Sequence, residues 1–288
     1  MKAIIFGVRG QDGYYLSELL SQQGVEIVGV NRSSNPALPN ITNFESVKDL
    51  IRHHNPDYIF HFAANSTTSH EAWKENHEII STGTLNILEA VKQEAPFAKI
   101  FLSGSGLQFR NESRPIHERD IFEASSMYAV SRIHMVFAAR YYRSLGLKVY
   151  VGYFFNHDSP LRTDRHINKR IVEAVNRIKN GSREKLEIGN LSVKKEYGFA
   201  GDIVRAVWIM MQQDKIFEAV IGTGVAHSIE EWVESCFTLR GLNWKDHVKI
   251  KDGFIPEYQL LVSDPKIIFS LGWKPRVSMQ ELATLMIN

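Results

Sequence analysis

Ala3-Ile4-Ile5-Phe6-Gly7-Val8-Arg9-Gly10-Gln11-Asp12-Gly13 is a short apolar run followed by three glycines spaced three apart. The run has the form of a buried parallel strand. Beyond it, Tyr15, Leu16, Leu19 and Leu20 repeat at helical spacing. Strand, glycine turn and helix N-terminus in that order make a site for a dinucleotide pyrophosphate. Glycine lets the backbone turn sharply and lets phosphate oxygens approach its N–H groups, and the helix dipole favours the negative charge. Gly7, Gly10, Gln11, Asp12 and Gly13 are therefore the expected cofactor-binding residues. Glycines also mark ordinary turns, so the motif takes its weight from the pattern of the chain beyond it.

That pattern is an alternation of strand and helix. Lys2–Phe6 reads as a strand, 13–23 as a helix closed by Gly24, and Glu26–Val30 as a second strand. Residues 31–43, with two prolines and several Asn and Ser, read as a loop. Phe44–His54 is helical, 58–62 a strand, 79–93 helical and 99–103 a strand. A helix over 127–145 and a strand over 149–154 complete the series. Such repetition predicts an α/β fold of the Rossmann type, a doubly wound parallel sheet with helices on both faces. After residue 156 the pattern changes: helices at 168–180 and 202–213, a short strand at 186–189, a helix start at His227 and a last helix at 278–287. Residues 219–222 return to the sheet. The expected division is a dinucleotide-binding domain over 1–156. A smaller substrate-binding lobe occupies most of 157–288, with segments crossing back to the first domain.

The chain has 288 residues, 44% hydrophobic and 23% charged, with a net charge of +2. That suits a soluble globular protein with a large core, and the charge is too near neutral to argue for nucleic acid or a membrane surface. One cysteine, Cys236, rules out an internal disulfide and a cysteine-cluster zinc site, and no metal is expected. Met1-Lys2 leads straight into a strand without a long apolar leader or transmembrane run, so the expected location is the cytoplasm.

At the end of the second strand an NAD-specific dehydrogenase often places an acidic residue on the adenosine ribose. Here the residues are Asn31-Arg32-Ser33-Ser34. A guanidinium among hydroxyls suits a 2′-phosphate, so Arg32 and Ser33 favour NADP, with NAD as the other possibility. Ala63 and Ala64, after the third strand, are small enough to admit the cofactor closely. Phe101-Leu102-Ser103-Gly104-Ser105-Gly106 places hydroxyls at the carboxyl edge of the sheet, where ligands of open α/β sheets bind. Tyr128 and Arg132 fall on one helix face at i and i+4. A fixed positive charge beside a phenol favours its ionised form, so Tyr128 is a candidate acid/base for a sugar hydroxyl or carbonyl. Ser105 would hydrogen-bond the same oxygen while a nicotinamide carries the hydride.

With these residues in view, the chain resembles the extended short-chain dehydrogenases/reductases of the NAD-dependent epimerase/dehydratase family, in the branch of the GDP-mannose 4,6-dehydratases. Gly10-Gln11-Asp12-Gly13 with Tyr15-Leu16, Phe155-Asn156-His157-Asp158-Ser159-Pro160, Gly189-Asn190-Leu191 and Leu271-Gly272-Trp273-Lys274-Pro275 carry the resemblance. It implies a catalytic set at Ser105, Tyr128 and position 132, where the family has lysine and this chain has Arg132. The family lysine also binds the nicotinamide ribose, and arginine is not an equivalent replacement. The resemblance further implies a glutamate that removes the sugar C5 proton; aligned through Phe109, its place is taken by Leu107. Glu112, His117 and Glu118 are candidate replacement bases, or else ordinary loop residues.

The resemblance also assigns substrate contacts to Asn156, Lys195 (for a phosphate-binding arginine) and Glu257 (near the nucleotide base). Lys169 and Arg170, which open the following helical stretch, are candidates to face phosphate or else form a solvated basic turn. Phe254 replaces an arginine that neutralises diphosphate. Residues 36–40 form a short loop for this branch, which favours a homodimer. The implied partner is a nucleotide-diphosphate sugar, in surface-polysaccharide synthesis. Reduction of a 4-keto sugar or C4 epimerisation fits the missing glutamate best. Dehydration with a replacement base, or an impaired cofactor-binding homologue, are the alternatives.

Overall fold

The computed structural model describes residues 1–31 and 39–288. Six strands form one parallel sheet: β1 (Lys2–Phe6), β2 (Glu26–Val30), β3 (Tyr58–His61), β4 (Lys99–Ser105), β5 (Lys148–Phe154) and β10 (Glu218–Ile221). Their spatial order is β2-β1-β3-β4-β5-β10, with every neighbouring pair parallel. The order reverses between β1 and β3, and a crevice at the carboxyl ends of the strands follows from that reversal.

Alternate residues of each strand supply the two faces of the core. Ile4 and Phe6 pack with α2 (Phe44–His54), α4 (Gly83–Glu94) and α5 (Met127–Ser144). Ala3 and Ile5 pack with α1 (Gln11–Gln22), α7 (Ala200–Met211) and Trp273. Both faces are thus covered, as a parallel sheet requires. A third core lies among α6 (Ile167–Lys179), α8 (Ile229–Leu239) and α10 (Met279–Ile287), where Trp232 stacks on Tyr197 at 4.9 Å. Cys236 is fully buried there. Ser228 and Ser278 close capping boxes with Glu231 and Glu281, which fixes where α8 and α10 begin. Among the described residues no helix is long and apolar enough to cross a membrane.

Several elements differ from the sequence reading. Helix α1 begins at Gln11 rather than 13, because Gly10 is already the extended N-cap. β4 continues to Ser105 because Gly104 and Ser105 still pair with Tyr153 and Phe154. The helix expected over 79–93 is a π-helical turn, His77–Thr82, leading into α4. α3 (Trp73–Asn76), α9 (Lys266–Ser270) and several very short strands carry too few residues for a periodic pattern. These strands are β6 (His157–Asp158), β8 (Lys194–Glu196), β9 (Gly198–Phe199), β11 (Ala226–Ser228), β12 (Val248–Ile250) and β13 (Leu260–Leu261). The short strand expected at 186–189 is β7 (Leu186–Ile188).

Glu196, fully buried on β8, joins three chain segments. Its carboxylate accepts from the backbone N–H and hydroxyl of Ser263 (2.6 Å each), from Gly224 N–H (3.2 Å), and from the Thr223 hydroxyl and N–H. Burial raises its pKa against the pull of these donors. Glu196→Ala strands several buried donors, and a loss on the order of 3–5 kcal/mol is expected in urea unfolding, with Glu196→Gln losing less.

Candidate functional site

The carboxyl ends of the strands open on a cleft of about 400 Å³. Gly7 is its hinge: with φ +90°, a Cβ there would lie 2.7 Å from Ala63 N. A Cβ on Gly13 would lie 2.3 Å from Gly7 O, so only glycine lets α1 start this close to β1. No side chain caps α1, and residues 10–13 line the cleft. A backbone cradle at an uncapped helix N-terminus fits a dinucleotide pyrophosphate. Beside it, a second cavity of about 310 Å³ is lined by Val30, Asn31, Ala63, Glu75, Glu78 and Ile79 and shares Gly7 with the first. It lies at the end of β2, the position of an adenosine in this fold class. Arg32 and Ser33, expected to choose between NADP and NAD, lie outside the described residues.

The cleft also gathers Ala64, Ser105, Leu107, Tyr128, Arg132, Asn156 and Glu257. Ser105 ends β4, where its Oγ accepts from Leu107 N–H at 3.2 Å and its N–H donates to Gln108 at 2.9 Å. The first bond aims one lone pair inward and leaves the hydroxyl hydrogen free to donate. Tyr128 and Arg132 meet on one face of α5, the guanidinium carbon 5.1 Å from the ring centroid. Arg132 is buried, and it donates to Ser103 O and to Ser103 Oγ (3.1 Å).

Gln11 and Asp12 also reach across the cleft floor. Ser159 Oγ donates to Gln11 Oε1 at 3.0 Å, and Gln11 Nε2 donates to His157 O at 3.3 Å. His157 has acceptors at both ring nitrogens, Phe155 O at 2.8 Å and Asp12 Oδ1 at 2.9 Å. Two acceptors call for two N–H donors, which makes the ring an imidazolium. Burial opposes both charges, yet each holds the other: Asp12 titrates below and His157 above the usual value.

Two expected contacts, Lys169 and Lys195, lie elsewhere, as does Phe254. Lys169 Nζ turns to Pro160 O at 3.1 Å and does not line the cleft. Lys195 is buried and does not line the cleft, its Nζ 5.4 Å from the Tyr197 ring centroid; burial pushes its pKa down to about 8 against the pull of Asp158. Phe254 packs on Gly189, also outside the cleft. The candidate replacement bases are elsewhere too. Glu112 pairs with Arg114, His117 with Asp120, and Glu118 accepts from Val220 N–H. None of the three lines the cleft, because the chain beyond Phe109 turns away to pair with residue 122.

Arg162, His166 and Tyr258 line the cleft although no motif marks them in the sequence. Arg162 follows Pro160 by two residues and Tyr258 follows Glu257, so adjacency to the matched segments was the available signal. His166 lies at the N-cap of α6, and burial followed by Arg162 lowers its pKa to about 4.

A glycine cradle on the first strand and a serine–tyrosine pair facing it across a parallel-sheet crevice define a short-chain dehydrogenase/reductase of the epimerase/dehydratase type. The sequence profile of the family described as GDP-mannose 4,6 dehydratase matches residues 4–286, and the chain belongs to that family of NAD(P)-dependent nucleotide-sugar enzymes. It is 33% identical to GDP-mannose 4,6 dehydratase 2 of Arabidopsis thaliana over 320 residues, covering 99% of this chain and 86% of that one. Its fold is similar to RMD from Pseudomonas aeruginosa, solved with NADPH (TM-score 0.85, 21% identity, 99% and 96% coverage). It is also similar to UDP-glucose 4-epimerase of Thermus thermophilus, solved with NAD (TM-score 0.82, 22% identity, 100% and 98% coverage).

Two outcomes are expected. Gly13→Ala should weaken binding of the reduced nicotinamide dinucleotide, titrated as NADPH and as NADH, at least roughly ten-fold by fluorescence, because the added methyl pushes α1 off its turn. Acid should destabilise the fold through His61, whose pKa is lowered to about 3 by burial and then by Arg132. The unfolded chain takes up that proton near pH 6.5 and the folded chain only near 3. Stability therefore falls as pH drops below 6.5, by about 1.4 kcal/mol per pH unit. His61→Gln, which keeps a donor for Ile79 O, should flatten the urea midpoint between pH 6 and 4.

Proposed function

We propose that this protein transfers hydride at C4 of a nucleotide-diphosphate hexose, as a 4-keto reductase or C4 epimerase. In this reading residues 1–156, joined by α7 and β10, hold the dinucleotide, and most of 157–288 forms the sugar-nucleotide lobe. The bound nicotinamide supplies or accepts the hydride. Tyr128 gives or takes the proton at the C4 oxygen, and Ser105 donates a hydrogen bond to the same oxygen. Asn156, whose Oδ1 is buried without a partner, has an acceptor free for the sugar nucleotide. The guanidinium and hydroxyls at Arg32 and Ser33 favour NADP over NAD.

One observation carries this reading: Leu107 lines the cleft beside Ser105, where the family's dehydratases are expected to hold a glutamate base. Among the described residues the cleft's carboxylates are Asp12, held by His157, and Glu257, 3.5 Å from the Thr68 hydroxyl. The family match favours a second reading, dehydration, for which Glu257 is the available base. Its pKa is raised by burial.

Purified protein with a nucleotide 4-keto-6-deoxyhexose should consume NADPH faster than NADH, and Tyr128→Phe should lower the rate at least roughly 100-fold. Interconversion of C4 epimers without net cofactor consumption supports the epimerase form. Conversion of GDP-mannose to a 4-keto-6-deoxy product, abolished by Glu257→Gln, would establish dehydration instead. Light scattering of the same sample tests the expected homodimer.

A further inference from the structure

Arg132 is a buried cation whose partners among the described residues include no carboxylate. They are Ser103 O, Ser103 Oγ and the face of Tyr128. A buried charge costs several kcal/mol unless something answers it. Here two oxygens bond Nη1 and an aromatic face lies by the guanidinium, while Nε is buried without a partner. Both oxygens belong to one residue. The Ser103 hydroxyl donates to His61 O at 3.0 Å, which pins its hydrogen on β3 and leaves its lone pairs to Arg132. His61 is held in turn: Ile79 O, at 3.2 Å from Nε2, can only accept, so Nε2 carries the hydrogen. Ser103 is therefore anchored to β3, and it holds Nη1 of the guanidinium that lies by the tyrosine ring.

We infer that Ser103 is a positioning residue for Tyr128, acting through Arg132. Its hydroxyl and carbonyl clamp the guanidinium against the ring and so set where the phenol stands relative to Ser105. One guanidinium nitrogen, Nη1, reaches both Ser103 oxygens, which leaves the guanidinium carbon 5.1 Å from the Tyr128 ring centroid. A lysine ammonium bonded to the same oxygens is a compact charge with no planar group left to lie by the ring. Arg132 is thus matched to Ser103, and Arg132→Lys is expected to lower turnover rather than improve it. The kinetic part rests on Tyr128 being the acid/base of the proposed reaction; the positional part does not.

Two measurements separate these. In the NADPH assay, Ser103→Ala should lower kcat roughly ten-fold with KM for the sugar nucleotide unchanged, and should alter the pH profile of kcat. Ser103→Thr, which restores the hydroxyl, should recover most of it. In an Arg132→Met background Ser103→Ala should have no further effect. Independently of turnover, protein labelled with 13C at tyrosine Cζ reports the Tyr128 ring, assigned by Tyr128→Phe. Ser103→Ala and Arg132→Lys should both move that signal in folded protein with an unchanged melting curve. An unmoved signal, or an undiminished kcat in Ser103→Ala, overturns the inference. A moved signal in a protein that turns over no sugar nucleotide upholds the clamp and overturns the proposed function instead.

Discussion

The contact of the first helix with the turn that precedes it governs the rest of the molecule. At Gly13 the α1 backbone lies where any side chain would strike Gly7 O and Val8 Cα. That closeness points the helix axis, and so its positive end, into the crevice between β1 and β3. Everything at the strand ends is arranged around that pole: the hydroxyl of Ser105, the ring of Tyr128 and the cavity under Val30. A parallel sheet brings all its carboxyl ends to one edge, so residues a hundred positions apart share a cleft without a long-range device to gather them.

The floor of the cleft is a joint between the two halves of the chain. Asp12 and Gln11 come from the first helical turn, while His157 and Ser159 follow the fifth strand. The imidazolium offsets a carboxylate that would otherwise sit uncompensated next to an anion-binding turn. The pair therefore serves geometry and electrostatics together: it ties the segments and keeps the helix pole attractive to phosphate. Its contribution needs both charges, so it weakens at either extreme of pH.

Much of the architecture was legible because it rests on period and punctuation. Strands of four or more residues separated by amphipathic helices announced the sheet, and glycines marked its first turn. Ser105, Tyr128, Arg132, Asn156 and Glu257 reach one cleft because each stands at a strand end, on a helix face or in a motif whose place in the sheet was known. Lys169 and Lys195 did not follow. The direction of a lysine depends on the rotational phase of α6 and on the register of a three-residue strand, and neither leaves a trace in hydropathy. The Ser103 clamp was equally hidden, since a serine beside a glycine looks the same whether its hydroxyl is free or spoken for. The π-helical turn at His77–Thr82 cannot be told from ordinary helix in the sequence, because one wide turn is too short to set a period of its own.

The sixth strand of the sheet has a consequence for the life of the chain before it is finished. β10 starts at Glu218, long after β5 ends at Phe154, and it is the only strand that covers that side of β5 among the described residues. A ribosome-bound chain can assemble the first five strands and still present β5 as a bare edge with open N–H and C=O groups, a template for pairing with another chain. The lobe segment between them must be threaded out and returned before the edge closes, a late and non-local step. The same segment that builds one wall of the cleft thus also sets how long the unfinished protein remains exposed to mispairing.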